Sequence, residues 1–350
     1  MRVAIIVARI DQAGPIIVIQ NLVNSLEIFN DLMVKVFYLD KKVNPQFSMI
    51  VPVERFDSQK FRFADYDIVH TNGIRPDLLA FLNRKKIKYH ISTLHNLVFE
   101  DLTFTYNRLI SFFFGNIWLL LWNRADKLVC VSEAVKTYYS KWFSKSKLEV
   151  ICNGIAEIDS SFVPEYDVIQ AVGNFHSSEL KVIGFVGILT NRKGIDQVLY
   201  LIAAEKNLAL VIIGDGKELG NLMHLAGKLK ISDRCLFCGF RSYASVYIRY
   251  FDFFIMPSRS EGFGLALIEA IQQKIPVICS DIAVFEELYH EDEVVFFKSG
   301  DKGSLSAALK IAIETGQKKV EKAYASYLNN YTAEAMAKKY YELYKSVLDI

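Results

Sequence analysis

Ser258-Arg-Ser-Glu261-Gly262-Phe-Gly264-Leu-Ala-Leu-Ile-Glu269-Ala-Ile271 is the stretch of sequence that decides the fold of this chain. The apolar run before it, residues 251–256, predicts a buried strand that ends at Pro257, and the apolar periodicity after Gly264 predicts a helix. A strand, a glycine-rich turn and a helix present free backbone N–H groups and the positive end of a helix dipole to an anion. The stretch therefore predicts an anion-binding turn flanked by two carboxylates.

The spacing of Glu261 and Glu269 limits what the two carboxylates can do. In an unbroken helix they would lie about 12 Å apart along the axis. A retaining hydrolase needs its carboxylates about 5 Å apart, so this spacing excludes a hydrolytic pair. The spacing suits contacts with both ends of an elongated ligand that carries phosphate in its middle, and a nucleotide sugar has this form.

The composition is that of a globular protein with about two domains. Of the 350 residues, 52% are hydrophobic and 23% are charged, which argues against disorder, and the formal net charge of +2 argues against a dedicated nucleic-acid binder. The five cysteines lie in scattered apolar runs, which predicts reduced thiols in a cytoplasmic protein. The N-terminal run at residues 1–8 predicts a first buried strand rather than a signal peptide.

Short apolar runs alternate with helical patterns through both halves of the chain, which predicts parallel sheets covered by helices on both faces. The predicted strands are 3–8, 33–38, 68–70, 90–94 and 127–131 in the first half, and 182–186, 208–213, 235–238, 253–256, 277–279 and 294–297 in the second. We predict domains over residues 1–165 and 166–331, with the linker at 156–178, and a final helical segment over 332–350. Ligands of such sheets bind at the carboxyl ends of the strands.

Three further turns follow predicted strands. Arg192 and Lys193 lie before Gly194 in a turn that opens a helix, and such a cation pair suits a diphosphate, although an exposed charge pair is the alternative. Gly214 ends a strand, where it favours either a plain turn or close approach of a ligand. The turn containing Gly14 lacks the GxGxxG pattern, so a dinucleotide dehydrogenase fingerprint is absent where it is expected.

Several polar and aromatic features allow two interpretations. His70 and His95 both end predicted strands, and we favour His95 as the one that faces a ligand, the alternative being a structural histidine. Cys235 and Cys238 have the CxxC spacing, but a single pair cannot complete a zinc site, and two strand residues are the simpler interpretation. The basic run at residues 84–88 is typical of a solvated helix end or loop.

The segment at residues 106–122 is rich in aromatic residues. One interpretation is a core helix. The other is a helix that contacts a membrane surface or a lipid-linked acceptor, which is favoured by apolar residues nearly all round it and by the neighbouring basic run. The longest apolar stretch here falls short of the ~18 to 20 residues that span a bilayer.

An ordered set of motifs resembles glycosyltransferase family 4, whose members are retaining enzymes with the GT-B fold. The segment from Pro257 to Glu269 is similar to the E-x7-E motif of that family. Other matching segments lie in the family's order over nearly the whole chain: Asp67-Ile-Val-His70, Thr93-Leu-His95, Ala125-Asp-Lys-Leu-Val-Cys-Val-Ser132, Val150-Ile-Cys-Asn153-Gly154-Ile155, Ile213-Gly-Asp-Gly216 and Gly239. The resemblance implies an α/β protein of two doubly wound Rossmann-like domains that face each other across a cleft.

The resemblance also implies that a hexosyl-type sugar is transferred from a nucleotide-sugar donor with retention at the anomeric carbon. Arg192 and Lys193 would bind the diphosphate, Glu261 the sugar hydroxyls and Glu269 the ribose, while His95 would face the reacting sugar. The remaining donor contacts would come from glycine turns and backbone N–H groups, at Gly14, Gly214, Gly262, Phe263, Gly264 and Leu265. We expect catalysis by positioning and by stabilisation of the departing diphosphate, with no metal or other cofactor. The final helix would cross back onto the first domain.

Two positions depart from the family pattern. Ile188 stands where many members carry an arginine directly after the glycine at the strand end, so Arg192 is the candidate to replace it. Ala13 stands where the first loop usually has one of two adjacent glycines, a difference that affects the backbone donors of that loop.

The expected acceptor is a lipid-linked oligosaccharide in the synthesis of O-antigen, capsule or a similar bacterial surface polysaccharide. The expected location is the cytoplasm, with peripheral contact at the inner face of the cytoplasmic membrane through residues 106–122, and nucleic acid is not an expected partner. Two alternatives are a GT-B sugar-nucleotide isomerase or phosphorylase, and a two-lobed binding protein without catalysis.

Overall fold

The computed structural model describes residues 1–11, 13–41, 49–158 and 162–349 of the chain. These residues form two compact units, Met1–Ala156 with Asn330–Ile350, and Glu157–Asn329. Each unit is built on one parallel sheet with helices between the strands, so the predicted α/β class is confirmed.

The sheet of the first unit has seven strands in the order β3-β2-β1-β4-β5-β6-β7. Their bounds are β1 (Arg2–Val7), β2 (Met33–Tyr38), β3 (Val53–Arg55), β4 (Ile68–Asn72), β5 (Tyr89–Leu94), β6 (Lys127–Cys130) and β7 (Leu148–Val150). Residues 3–7 of the central strand are fully buried, so both faces of the sheet are covered. The helices between the strands are α1 (Gly14–Leu26), α2 (Ile74–Leu82), α3 (Val98–Thr105), α4 (Arg108–Asn123) and α5 (Glu133–Tyr139).

The sheet of the second unit has six strands in the order β10-β9-β8-β11-β12-β13. Their bounds are β8 (Lys181–Val186), β9 (Leu208–Ile213), β10 (Cys235–Phe237), β11 (Phe253–Met256), β12 (Val277–Ser280) and β13 (Val295–Phe297). The helices are α6 (Tyr166–Ser177), α7 (Ile195–Ala204), α8 (Leu219–Lys228), α9 (Leu265–Gln272), α10 (Ala283–Leu288) and α11 (Lys302–Asn330). The main core cluster of this unit joins residues of β8 and β9 to buried residues of α7 and α11.

Both sheets have a topological switch point, where consecutive connections leave in opposite directions. In the first unit it lies between β1 and β4, and in the second between β8 and β11. A crevice forms outside the carboxyl ends of the strands at such a point. Each unit therefore offers a binding site at the turns that follow these strands.

The last helix, α12 (Ala333–Ser346), packs along α1 in the first unit. Its Tyr344 hydroxyl lies 2.8 Å from His70 Nδ1, and its Tyr340 hydroxyl lies 3.0 Å from Thr93 Oγ1. His70 Nε2 in turn lies 2.7 Å from the same Thr93 oxygen. Burial, aided by the charges of His95 and His90, lowers the pKa of His70 to about 3. His70 is therefore a neutral, fully buried residue that joins the last helix to β4 and β5.

Candidate active site

The turns after β8 and β11 meet at the switch point of the second unit, and three charged side chains join them. Arg192 Nη1 donates to Glu261 Oε2 at 2.8 Å and to the carbonyl oxygen of Ser260 at 2.7 Å. Lys193 Nζ donates to Glu261 Oε1 at 2.6 Å. Two cations from one turn therefore share one carboxylate from the other.

Glu261 is ionised and held in place. Its side chain is 7% exposed, and the Ser258 hydroxyl donates to Oε1 at 2.7 Å. Burial alone would raise the pKa of Glu261, but the charges of Lys193 and Arg192 and the hydrogen bonds from Lys193 and Ser258 outweigh it and lower the pKa to about 2. A carboxylate bound in this way is a weak nucleophile, since its charge is already compensated.

A second set of contacts fixes the backbones of the same two turns. Arg259 N donates to the carbonyl oxygen of Arg192 at 2.8 Å, and the Arg259 guanidinium grips both carboxylate oxygens of Asp196 at 3.0 and 2.7 Å. Gly194 has φ +68°, and a Cβ there would lie 2.1 Å from the carbonyl oxygen of Pro257. The turn that carries the cations thus depends on a glycine and on the Arg259–Asp196 pair, a pair that the sequence analysis missed.

The glycine-rich turn leads directly into α9. Gly264 is the N-cap of this helix at φ +93°, and a Cβ there would lie 2.6 Å from the Phe285 ring. Gly262 and Phe263 are buried, and Leu265 begins the helix. The N-terminal end of α9, the positive end of its dipole, therefore lies in the turn that carries Glu261.

The structure places the two glutamates of the opening motif in different environments. Glu261 precedes α9, and only Glu269 is on the helix, so the separation for an unbroken helix does not apply. Glu269 is half-buried, and burial raises its pKa to about 7 against the opposing charge of Lys193. The motif therefore supplies one permanently charged carboxylate and one that titrates near neutral pH.

Gly214 lies at the close approach of two strand ends. It has φ +146°, and a Cβ there would lie 1.9 Å from the carbonyl oxygen of Gly187. A Cβ on Gly187 would in turn lie 3.9 Å from Lys193 Cε. Gly214 N also donates to the carbonyl oxygen of Gly239 at 2.8 Å. The missing side chain of Gly214 therefore lets the end of β9 pack against Gly187, at the start of the turn that carries Lys193.

In the first unit, the two predicted residues follow the carboxyl ends of β1 and β5, and β4 lies between these strands. Gly14 begins α1 after β1, and His95 follows β5. His95 Nε2 lies 2.9 Å from Oδ1 of Asn72, the last residue of β4. Burial lowers the pKa of His95 to about 4, so the ring is neutral at physiological pH. The sequence analysis missed Asn72, although a polar residue before a glycine at a strand end was a visible signal.

The aromatic helix α4 has one buried and one exposed face. On the buried face, the indole N–H groups of Trp118 and Trp122 donate to Asp77 Oδ2 at 3.1 and 2.9 Å. The opposite face exposes large apolar side chains, with 73% of Leu109, 61% of Phe112 and 64% of Phe113 accessible to solvent. The core-helix interpretation is therefore right for one face of α4, and the other face is exposed to solvent.

Basic residues lie at both ends of α4. Arg108 is the single charged residue of α4. At the other end, the Arg124 guanidinium lies 4.5 Å from the Phe81 ring, and Arg84 Nε donates to the carbonyl oxygen of Arg124 at 2.9 Å. The short 3-10 helix Arg84–Lys86 is thereby held beside the end of α4.

The described residues contain no group of three or more His, Cys, Asp or Glu side chains that could hold a metal ion. Cys235 and Cys238 are buried free thiols, and burial raises their pKa values to about 12 and about 11. Among the helices of the described ranges, none has the length and hydrophobicity needed to cross a membrane.

Two sequence families match the two halves of the chain. The family described as Glycosyltransferase Family 4 matches residues 32–157, and the family described as Glycosyl transferases group 1 matches residues 170–329. The O-antigen biosynthesis glycosyltransferase WclY of Escherichia coli is 32% identical over 362 residues, covering 99% of each chain. The chain belongs to glycosyltransferase family 4.

Solved structures confirm the GT-B fold of this glycosyltransferase. Sucrose-phosphate synthase from Thermosynechococcus elongatus superposes with a TM-score of 0.81 at 19% identity, covering 100% of this chain and 99% of that one. HepE from Anabaena, in complex with UDP-glucose, superposes with a TM-score of 0.79 at 16% identity, covering 99% and 100%. Nothing in the comparisons supports the isomerase or phosphorylase alternative.

Proposed function

We propose that this glycosyltransferase moves a hexosyl-type sugar from a nucleotide-sugar donor to a glycan acceptor, with retention at the anomeric carbon. The observation that carries the proposal is the cluster of Arg192, Lys193 and Glu261 at the switch point, in the turns beside the N-terminal end of α9. The similarity to WclY, an O-antigen biosynthesis glycosyltransferase, supports a role in O-antigen or similar surface-polysaccharide synthesis. The similarity to HepE, which was solved in complex with UDP-glucose, supports a nucleotide-sugar donor.

In this proposal the diphosphate binds to Arg192 and Lys193. Its negative charge exceeds that of the Glu261 carboxylate, so it competes for the same two cations. The backbone N–H groups at Phe263, Gly264 and Leu265 would add donors from the start of α9. Gly14, Gly214 and Gly262 would let the backbone approach the donor closely.

The two glutamates would bind opposite ends of the donor. Glu261 would accept hydrogen bonds from the sugar hydroxyls, since its low pKa keeps it a carboxylate at all physiological pH values. Glu269 would accept from the ribose hydroxyls when it is deprotonated. The donor would thus lie on the second domain, residues 166–331, and the acceptor on the first, residues 1–165, which the helix at 332–350 completes.

The chemical step breaks the bond between the anomeric carbon and the diphosphate oxygen, which leaves with the electron pair. It forms a bond from that carbon to the oxygen of an acceptor hydroxyl, whose proton passes to the departing diphosphate. Two cations and a helix N-terminus stabilise the charge that develops on the departing diphosphate, which is the role a metal ion would otherwise serve. We therefore propose a metal-independent reaction. Because Glu261 is held between two cations, we propose retention without a covalent glutamyl intermediate, with His95 against the reacting sugar.

The exposed face of α4 supports a lipid-linked acceptor. An apolar helix face with basic side chains at both ends is suited to the surface of an anionic bilayer. We propose that this face brings the enzyme to the inner side of the cytoplasmic membrane, where nucleotide sugars and lipid-linked glycans meet.

The experiment is a transfer assay with the purified full chain, radiolabelled nucleotide sugars, and lipid-linked glycans extracted from a bacterium that makes surface polysaccharide. We expect label in the lipid fraction, and NMR of the product should show the anomeric configuration of the donor. An inverted linkage would overturn retention. Turnover of the nucleotide sugar without an acceptor would favour an isomerase, and stable binding with no turnover would favour a binding protein.

A further inference from the structure

Asn72 is placed to control the imidazole of His95. It is the last residue of β4, it is 6% exposed, and it pairs in register with Thr93 of β5, two residues before His95. Its Oδ1 lies 2.9 Å from His95 Nε2. The contact therefore joins two neighbouring strand ends at the carboxyl edge of the sheet.

The chemistry of this contact selects one tautomer. An amide oxygen has no proton to give, so His95 Nε2 must carry the proton and donate it. The neutral ring then keeps its lone pair on Nδ1. With Nε2 engaged, Nδ1 is the atom that can accept a hydrogen bond from a hydroxyl group.

Packing alone does not account for Asn72. Its Nδ2 is buried and has no hydrogen-bond partner among the described residues, and an unmet buried donor costs folding free energy. A leucine of similar size would avoid that cost. The contact with His95 is therefore the interaction that accounts for an asparagine at this position.

Hydrogen bonds from neighbouring groups hold this strand end in place. Thr71 Oγ1 donates to Asp77 at 2.5 Å and lies 2.8 Å from His90 Nε2. The nearby rings of His70 on β4 and His90 on β5 are both neutral, because burial lowers each pKa to about 3. Neither ring brings a positive charge to His95 at neutral pH.

We propose that Asn72 is a positioning residue, which holds His95 in the tautomer whose Nδ1 accepts a hydrogen bond from a hydroxyl of the donor sugar. This inference rests on the proposed function of His95. It adds the atom that meets the sugar and the residue that selects that atom.

The first test reads the tautomer without reference to activity. The full chain is labelled with ¹⁵N-histidine, and the His95 resonances are assigned by their loss in His95→Gln. We expect Nε2 to be protonated and Nδ1 to be bare in the wild type, and Asn72→Leu to give a mixture of tautomers. A wild-type ring protonated on Nδ1, or a tautomer unchanged in Asn72→Leu, would overturn the proposal.

The second test separates positioning from a structural role. Asn72→Asp keeps an acceptor on Nε2 and adds a negative charge, so it should keep the tautomer and raise the pKa of His95 in the NMR titration. Asn72→Leu should lower kcat about tenfold, the scale of one well-placed hydrogen bond. Affinity for the nucleoside diphosphate should stay unchanged, since its proposed ligands lie in the second unit. Loss of that affinity in Asn72→Leu, with wild-type thermal stability, would contradict a positioning role.

A matched control and a variant of His95 separate the inference about Asn72 from the proposed role of His95. Asn221→Leu changes an exposed asparagine of α8 whose side chain contacts Glu218, and it should alter neither tautomer nor kcat. Wild-type transfer by His95→Gln would end the proposed role of His95. The tautomer measurement would still decide whether Asn72 controls the ring.

Discussion

Lys193 Nζ donates a hydrogen bond to Glu261 Oε1 at 2.6 Å, so the cation proposed for the diphosphate and the carboxylate proposed for the sugar form one ion pair. The pair is largely buried, with 13% and 7% of the two side chains exposed. Glu261 therefore keeps the two cations in place and compensates their charge. Substituting either Lys193 or Glu261 therefore tests the role of the other residue.

Glu261→Gln should separate donor binding from transfer. Without the carboxylate charge, Arg192 and Lys193 are left with less compensation, and the free energy of unfolding should fall by about 3 kcal/mol. A nucleoside diphosphate should then raise Tm more in this variant than in the wild type, because it supplies the missing negative charge. Transfer should fall by more than about 100-fold.

The control is Glu321→Gln, which removes the charge of an exposed carboxylate paired with Lys274. Its effect on unfolding should stay below about 1 kcal/mol, with no effect on transfer. Normal transfer by Glu261→Gln would refute its role at the sugar.

Glu261 should also make the free energy of unfolding depend on pH in the acid range. Its pKa is lowered from 4.5 to about 2 in the folded chain, so its contribution is complete above pH 4.5 and is lost as pH falls towards 2. The difference in free energy of unfolding between the wild type and Glu261→Gln should therefore shrink across this window. Denaturant titrations at several pH values measure it, and a difference that grows on acidification would contradict the low pKa.

Donor affinity should depend on pH through Glu269. Its pKa is raised to about 7, so the folded chain holds this proton up to neutral pH, and the stability it contributes in the protonated form is lost as pH rises from 4.5 through 7. In the proposed site the carboxylate form of Glu269 accepts from the ribose hydroxyls, so affinity for an intact nucleotide sugar should rise as pH increases through 7. Glu269→Gln should abolish the dependence in calorimetric titrations. An equal pH dependence in both proteins would assign it to another group.

The exposed face of α4 should control membrane binding. Phe112→Asp combined with Phe113→Asp adds charge where the side chains are already solvent-accessible, so stability should be retained. Sedimentation with vesicles that contain phosphatidylglycerol should be lost, since apolar burial and electrostatic attraction both weaken. Ile311→Asp with Ile313→Asp on α11 is the matched control, because these two side chains are also exposed. Unchanged sedimentation of the first variant would rule out this face as the membrane contact.

The sequence predicted the long buried strands well and missed two of the short ones. The predicted strand at 208–213 agrees with β9 residue for residue, because a strand covered on both faces is a continuous apolar run. Val53–Arg55 and Leu148–Val150 were missed, since three residues with exposed polar members carry no such signal. The sequence also predicts a helix over 301–315, and the observed α11 continues beyond it to Asn330, where charged residues replace the apolar repeat.

The contents of the candidate site were visible in the sequence, but its internal contacts were not. Arg192, Lys193 and Glu261 each lie in a turn after a predicted strand, yet their pairing depends on β8 and β11 being neighbours. Strand order is a tertiary property, which periodicity cannot supply. The sequence could not show which face of α4 is buried, because apolar residues occur on both faces. Only tertiary contacts such as that of Trp122 with Asp77 distinguish them.

The most direct test of the account is a calorimetric titration of nucleoside diphosphates into the wild type, Lys193→Ala and the control Lys228→Ala. Lys228 is an exposed cation of α8. The account predicts that at least one nucleoside diphosphate binds the wild type and the control equally. Binding to Lys193→Ala should be weaker by at least about tenfold, the loss expected for one charge-assisted hydrogen bond. Equal affinity in all three proteins would contradict the proposed diphosphate site.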